Sequence, residues 1–187
     1  MPRTVRILNG LSMSLPPERV NRMFGVVMEG SHTGNLETQL HVIVLCHASV
    51  SGLTPSLAQA NPTLLNKVKK YLDIYKHFIR PFHRQSKVYH HTQEIPGHDG
   101  SGWAALELAA PDASRAVAGV FRLANPAADE YLLRPRGLAA DRRYRITSLP
   151  GDRTWVGDGH ELVERGITVR LDSPLTSRLF LFEVLNG

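Results

Sequence analysis

Two stretches decide the reading of this chain: "SRAVAGVFRL" (residues 114–123) and "SRLFLFEVL" (residues 177–185). Both are short and apolar at odd and even positions alike. A strand with one wet face alternates apolar and polar residues, so these two suit central strands covered on both faces. Around them lie segments that do alternate. "RYRITSL" (143–149) sets Tyr144 and Ile146 against Arg143, Arg145 and Thr147. "GITVRLD" (166–172) sets Ile167, Val169 and Leu171 against Thr168, Arg170 and Asp172. Turn-forming clusters separate the runs: "PDAS", "NPAADE", "PRGLAAD", "LPGDR" and "GDG". Short strands at this spacing predict an antiparallel sandwich of about eight strands over residues 85–187.

Upstream, the period changes to that of a helix. In "NPTLLNKVKKYLDIYKHFIRPF" (61–82), Asn61 is a cap, Pro62 fits the first helical position, and Pro81 reads as the stop. Leu64, Leu65, Val68, Tyr71, Leu72, Tyr75, Phe78, Ile79 and Phe82 form a wide apolar face, with Lys67, Lys69, Lys70, Lys76 and Arg80 mostly off it. "LPPERVNRMFGVVMEG" (15–30) reads as another helix, with Glu18 in its first turn, a stripe of Val20, Met23, Phe24, Val27 and Met28, and Gly30 as its stop. "LETQLHVIVLCHA" (36–48) stays open: Val42–Leu45 suits a buried strand, while "LETQL" favours a helix. The fold class expected is therefore α+β, with a helical segment over 1–84 and an antiparallel β domain over 85–187.

Charge divides the chain at the same place. Residues 1–84 hold ten Lys/Arg against four Asp/Glu, and residues 85–187 hold twelve against thirteen. A basic half raises nucleic-acid binding through the 61–84 helix, but its interleaved aromatics argue for packing instead, so no nucleic-acid partner is expected. Cys46 is the single cysteine, which excludes an internal disulfide and reads as a buried thiol. No apolar run reaches the roughly 18 residues of a membrane span. The N-terminus shows no sustained apolar stretch of a signal peptide, so no membrane and a cytoplasmic location are expected.

"KVYHHTQEIPGHDGSGW" (87–103) gathers three histidines and two acids. Its first residues read as a strand, 92–102 as a loop, and "WAALELA" as the next strand. Adjacent His90 and His91 on a strand point to opposite faces, so they do not grip one ion together, and only His98 and Asp99 remain nearby. No metal or other cofactor is expected. Nor does His98–Asp99 have a Ser or Cys nucleophile in a recognisable setting. The strand histidines read as solvent-facing.

The ordered series "LPPERV…LETQL…YKHFIRPF…VYHHT…PDASRAVAGVFR…RPRGL…YRI…LTSRLFLF" resembles the C-terminal part of bacterial α-galactosidases of glycoside hydrolase family 36 (melibiase-like), from about residue 10 to about residue 184. In that family an N-terminal β-sandwich precedes a (β/α)8 barrel and a C-terminal antiparallel β domain. The resemblance implies that residues 1–84 are like the last part of the barrel and residues 85–187 like the C-terminal domain. It also implies a parent activity, retaining hydrolysis of terminal α-galactosides, with carbohydrate as the partner. The family's nucleophile is an Asp ending a Lys-Trp-Asp strand, and its acid/base is a second Asp. A retaining glycosidase needs both carboxyls about 5–5.5 Å apart. Here Trp103 follows Gly102 and Trp155 follows Thr154, so no catalytic residue carries over. The loop Glu29–Asn35 falls where the family's chain passes the barrel end. That makes His32 and Asn35 the candidate substrate-binding residues.

Two further expectations follow. A carbohydrate-binding β module would use Trp103, Tyr131 and Trp155 as stacking platforms, although alternation favours core roles for them. And the helix faces at 20–28 and 64–82, deprived of most barrel strands, are expected to stand uncovered, leaving residues 1–84 loosely ordered, self-associated or dependent on a missing barrel half.

Overall fold

The computed structural model describes residues 2–21, 24–25, 35–51, 56, 61–92, 102–124 and 128–185. Chain order begins with helix α1 (Pro2–Leu11), a 3-10 turn at Pro17–Arg19, and strand β1 (Phe24–Gly25). Helix α2 (Leu36–Val44), strand β2 (Val50–Ser51) and helix α3 (Pro62–Ile74) follow. A π-turn at Tyr75–Ile79 then leads into α4 (Arg80–His83). The β-rich part comprises β3 (Lys87–His90), β4 (Trp103–Ala109), β5 (Arg115–Arg122), β6 (Glu130–Leu133), β7 (Arg143–Leu149), β8 (Arg153–Asp158), a short helix α5 (Gly159–Glu164), β9 (Ile167–Arg170) and β10 (Thr176–Val184).

Among the described residues the antiparallel strands number eight, in a six-stranded sheet ordered β3-β4-β5-β10-β7-β8 and a two-stranded sheet β6-β9. The two doubly apolar stretches, β5 and β10, are the sheet's adjacent central strands, with Leu181 opposite Val117. Both faces of this sheet are covered, which is why no alternation shows in them. One face carries Leu106, Leu108, Val117, Phe121, Leu179 and Leu181, packed with Leu40, Ile43, Val68, Tyr71, Ile79 and Phe82 of the helical layer. The other carries Ala116, Ala118, Val120, Tyr144, Ile146, Phe180 and Phe182, packed with Leu133 and Val169 of the two-stranded sheet.

The first face corrects one expectation. The 64–82 stripe is not left uncovered: Val68, Tyr71, Ile79 and Phe82 are buried, and Leu64, Leu72, Tyr75 and Phe78 pack partly buried against the same core. The six-stranded sheet itself supplies the apolar partner that the barrel strands were expected to provide. Exposed apolar side chains in the first half gather instead near α1, at Ile7, Leu11, Met13 and Leu15.

Two local readings also change. The stretch 20–28 is not one helix. Pro17–Arg19 forms a single 3-10 turn, and Phe24–Gly25 pairs in parallel with Val50–Ser51. A β-branched and aromatic run of this length fits a buried strand as well as a helical stripe, and here the pairing decides. Met23, Val27, Met28 and Gly30 lie outside the described residues. Nor does Pro81 end the helix. Its missing N–H is absorbed by the π-turn, where the Arg80 N–H donates to the carbonyl of Tyr75, five residues back. The carbonyl of His77, four residues before the proline, accepts from Arg115 Nη1 at 3.4 Å instead. The remaining helix signals hold. Asn61 caps α3 by accepting from Leu64 N at 3.0 Å, with Pro62 just inside. The open segment 36–48 is helical over Leu36–Val44, with Leu40–Cys46 buried.

Candidate functional site at the helix–sheet junction

β1, α2 and β2 form a strand–helix–strand unit with parallel strands. A parallel pair needs such a crossover. β1 ends at Gly25 and α2 begins at Leu36, and of the residues between them only Asn35 is described. His32 lies outside the described residues. Asn35 is described, and its structural task is evident: Oδ1 accepts from Thr38 N at 2.8 Å and caps α2.

The first turns of α2 are bonded to the β-rich part. Ser177 of β10 donates from Oγ to Thr38 Oγ1 at 3.0 Å. Ser177 Oγ also lies 2.7 Å from Nδ1 of His41, one turn further along α2. His41 Nε2 lies 2.9 Å from the hydroxyl of Tyr71 on α3. Because the only proton of Ser177 Oγ goes to Thr38, that oxygen accepts from His41. His41 is then protonated at Nδ1 and accepts from Tyr71 through Nε2. The chain Tyr71→His41→Ser177→Thr38 thus joins two helices to the central strand of the sheet. It is buried, with His41 at 0% exposure. Burial pushes the imidazole down to about 3, with the Arg178 and Lys70 charges acting the same way, and raises the Tyr71 hydroxyl well above its usual range. A neutral His beside a Ser hydroxyl has the composition of a nucleophilic pair. This one is closed to solvent and saturated by its own neighbours, so its chemistry is structural.

His83 on α4 is a second buried imidazole at this junction. Its Nδ1 lies 3.4 Å from the Tyr75 hydroxyl, and burial pushes it down to about 4. The lysines of α3 do not form an unscreened basic stripe: Lys67 pairs with Glu37 at 2.6 Å, and Lys70 with Asp152 of the β7–β8 turn at 2.6 Å.

His90, the last residue of β3, and His91 just after it diverge as the alternation requires. His90 Nε2 meets Ser12 Oγ at 2.9 Å, on the helical side, while His91 Nε2 meets Glu107 Oε2 at 2.7 Å. The solvent-facing reading of this pair is corrected, since the His91 side chain is only 8% exposed. Its partner explains why. Glu107 sits in the middle of β4 between Ala105 and Ala109, fully buried, and its carboxylate also accepts from Arg136 N at 2.9 Å and Gly137 N at 2.8 Å. A buried carboxylate persists only with such partners. Here it pins the "RPRGL" loop against the sheet. A lone Glu inside an otherwise apolar strand is the signal that could have found it. His98 and Asp99 lie outside the described residues. Among the described residues no group of three His, Cys, Asp or Glu side chains is placed to hold a metal. No helix among them is long and apolar enough to cross a membrane.

The aromatic candidates are half-buried. Trp103 donates from Nε1 to Ala128 O at 2.9 Å, and its ring lies 5.8 Å from that of Tyr131, tilted by 34°. Trp155 meets Phe180 edge-to-face at 6.4 Å. These are packing contacts rather than a co-planar platform.

Residues 103–182 match the model of the glycosyl hydrolase family 36 C-terminal domain, a span from the start of β4 to near the end of β10. This part of the chain is similar to the family 36 C-terminal domain. None of the curated proteins matches the chain. Among solved structures, the galactosidase domain of the alpha-galactosidase-sucrose kinase AgaSK is similar over 99% of this chain, at 16% identity and a TM-score of 0.73. The family 36 alpha-galactosidase AgaA from Geobacillus stearothermophilus is similar over 97%, at 21% identity and a TM-score of 0.69. AgaA variants have been crystallised with raffinose and with stachyose. A family 97 enzyme from Pseudoalteromonas sp. strain K8 shares the fold more distantly, at 10% identity and a TM-score of 0.57. At these identities the likeness shows the fold. The chain spans about a quarter of AgaSK and AgaA, 25% and 24% respectively. The likeness extends well upstream of the family 36 C-terminal domain, through the parallel strand–helix–strand unit.

Proposed function

We propose that this chain acts as the C-terminal portion of an α-galactosidase-like glycoside hydrolase. Residues 1–84 contribute the closing strand–helix units of a barrel, and residues 85–187 brace them. The parent reaction is the retaining hydrolysis of terminal α-galactosides, with carbohydrate as its partner. The carboxylate pair that performs it is not among the residues of this sequence. The loop 29–35 borders the sugar, where His32 and the amide of Asn35 supply polar contacts. Capping uses Asn35 Oδ1, which leaves the NH2 end to donate to a sugar hydroxyl.

The observation that carries this reading is the hydrogen bond from Ser177 to Thr38, with His41 behind it. It ties the central strand of the family 36 C-terminal domain to the turn of α2 that ends the loop. Catalysis depends on residues held to a fraction of an ångström, so a loop of this kind needs such a support. The β domain's contribution is therefore positional.

The test is release of nitrophenol from an aryl α-galactoside by the purified 187-residue chain. Background release is expected. Turnover well above a mock purification, and lost on replacing one of the acids in this sequence, would overturn the reading.

A further inference from the structure

A cleft of about 420 Å³ opens between β9 of the two-stranded sheet and strands β7, β8 and β10 of the large sheet. Strands supply its polar lining. Arg153 and Trp155 come from β8, Ser148 from β7, Arg178 from β10, and Thr168 and Arg170 from β9. Arg153 faces Ser148 in register, and Ser148 faces Phe180, so Arg153, Trp155, Ser148 and Arg178 share one face of the sheet by alternation. The site is thus built on paired strands rather than on a mobile loop.

Its charge is one-sided. Three arginines line the cleft, and no carboxylate does among the described residues. Several cations elsewhere are matched by acids: Lys67 with Glu37, Lys70 with Asp152, Arg115 with Glu183. Of the three, Arg170 pairs with Glu130. That acid lies on the far side, in the neighbouring cleft. Arg178 donates one N–H to Pro150 O at 3.0 Å. The Arg153 guanidinium lies over the Trp155 ring, 5.8 Å from its centroid. A guanidinium carries five donors in a planar fork, so these contacts leave donors on each. Such forks match the oxygens of carboxylate and phosphate. The hydroxyls of Ser148 and Thr168 and the Trp155 indole add what a polyhydroxylated ring uses, and the volume lies within the range of small-molecule sites.

We propose that this cleft binds a small saccharide through an anionic group, a carboxylate or a phosphate, held by Arg153 and Arg178 beside Trp155. The inference is independent of the role assigned to α2 and its loop.

The experiment titrates the full 187-residue chain by calorimetry with four probes: galacturonate, galactose 6-phosphate, galactose and inorganic phosphate. One or both anionic sugars bind with a Kd below about 1 mM, and galactose at least tenfold more weakly. Galacturonate alone assigns a carboxylate ligand, and galactose 6-phosphate alone a phosphate. Arg153→Ala, at an exposed position, weakens binding at least tenfold while leaving the urea midpoint unchanged, and Arg178→Ala does the same to the binding. No binding of either anionic sugar, equal binding of galactose, or full binding by both arginine variants would overturn the proposal. Inorganic phosphate binding as tightly as galactose 6-phosphate would overturn the saccharide assignment.

Discussion

Acidification should loosen this protein at its helix–sheet junction before its carboxylates titrate. His41 is buried and held down to about 3, and His83 to about 4, both through burial. In the unfolded chain each returns to about 6.5. Between these values the unfolded state binds protons that the folded state does not, so stability rises with pH across the window and falls as pH drops through it. Above about 6.5 the contribution is complete, and the loss levels off only near the folded values. At pH 5 a histidine kept neutral forfeits about 1.5 pKa units, or about 2 kcal/mol. Two make about 4 kcal/mol, a large share of a typical 5–15 kcal/mol. His90, also lowered by burial, adds in the same direction. Asp and Glu side chains titrate near 4, so the interval from 6.5 to 5 isolates the histidines. The assay is urea unfolding followed by circular dichroism at pH 7.5, 6.5, 5.5 and 5.0. The midpoint should hold above 6.5 and fall below it, and the ring proton of His41 should show no titration by NMR down to pH 5. A flat stability profile, or a His41 titration centred near 6.5, would refute the reasoning.

Two substitutions probe the loop held by β4. Glu107→Gln keeps one acceptor oxygen where two are used by backbone N–H groups, and turns an NH2 toward a donor. It should cost about 2–4 kcal/mol in urea unfolding, with a small effect arguing that the loop is not pinned there. Gly137→Ala would place a Cβ 2.2 Å from that of Ala109 on the rigid strand and 2.9 Å from Glu107 Oε1, so it should lower the midpoint at least as much as a typical overpacking change of about 1–3 kcal/mol. An alanine variant as stable as the parent chain would contradict the close approach of loop and sheet.

The β-rich half was legible because its strands obey a simple covering rule. β5 and β10 are apolar on both faces and lie at the centre, and β4 begins and ends where "WAALELA" does. The Asn61 cap was legible because capping is local. Three features were not, and each depends on a distant partner. The strand at Phe24–Gly25 exists through pairing with Val50–Ser51. The helix passes Pro81 because Arg115, 34 residues on from the proline, covers the carbonyl left unbonded. The 64–82 face is covered by a sheet built from strands between residues 87 and 184, so what reads as a stripe awaiting a missing barrel already has a partner. Of the candidate site, Asn35 was named through the family resemblance, and its capping role is seen only in the structure. His41, Tyr71, Ser177 and Thr38 are scattered over 140 residues of sequence and carry no spacing that would assemble them. A histidine within the apolar run "LHVIVL" was the one trace of them.

The claim that the β domain braces the α2 unit is tested most directly by native-state hydrogen exchange on the intact chain. If β10 and α2 form one cooperative unit, the amides of residues 40–45 and 179–182 exchange with the same opening free energy. Ser177→Ala, which leaves the Nδ1–H of His41 without its acceptor, should then lower both sets together by about 1–3 kcal/mol. Residues 40–45 exchanging through a separate, low-energy opening while 179–182 stay fully protected, with Ser177→Ala changing neither, would contradict it.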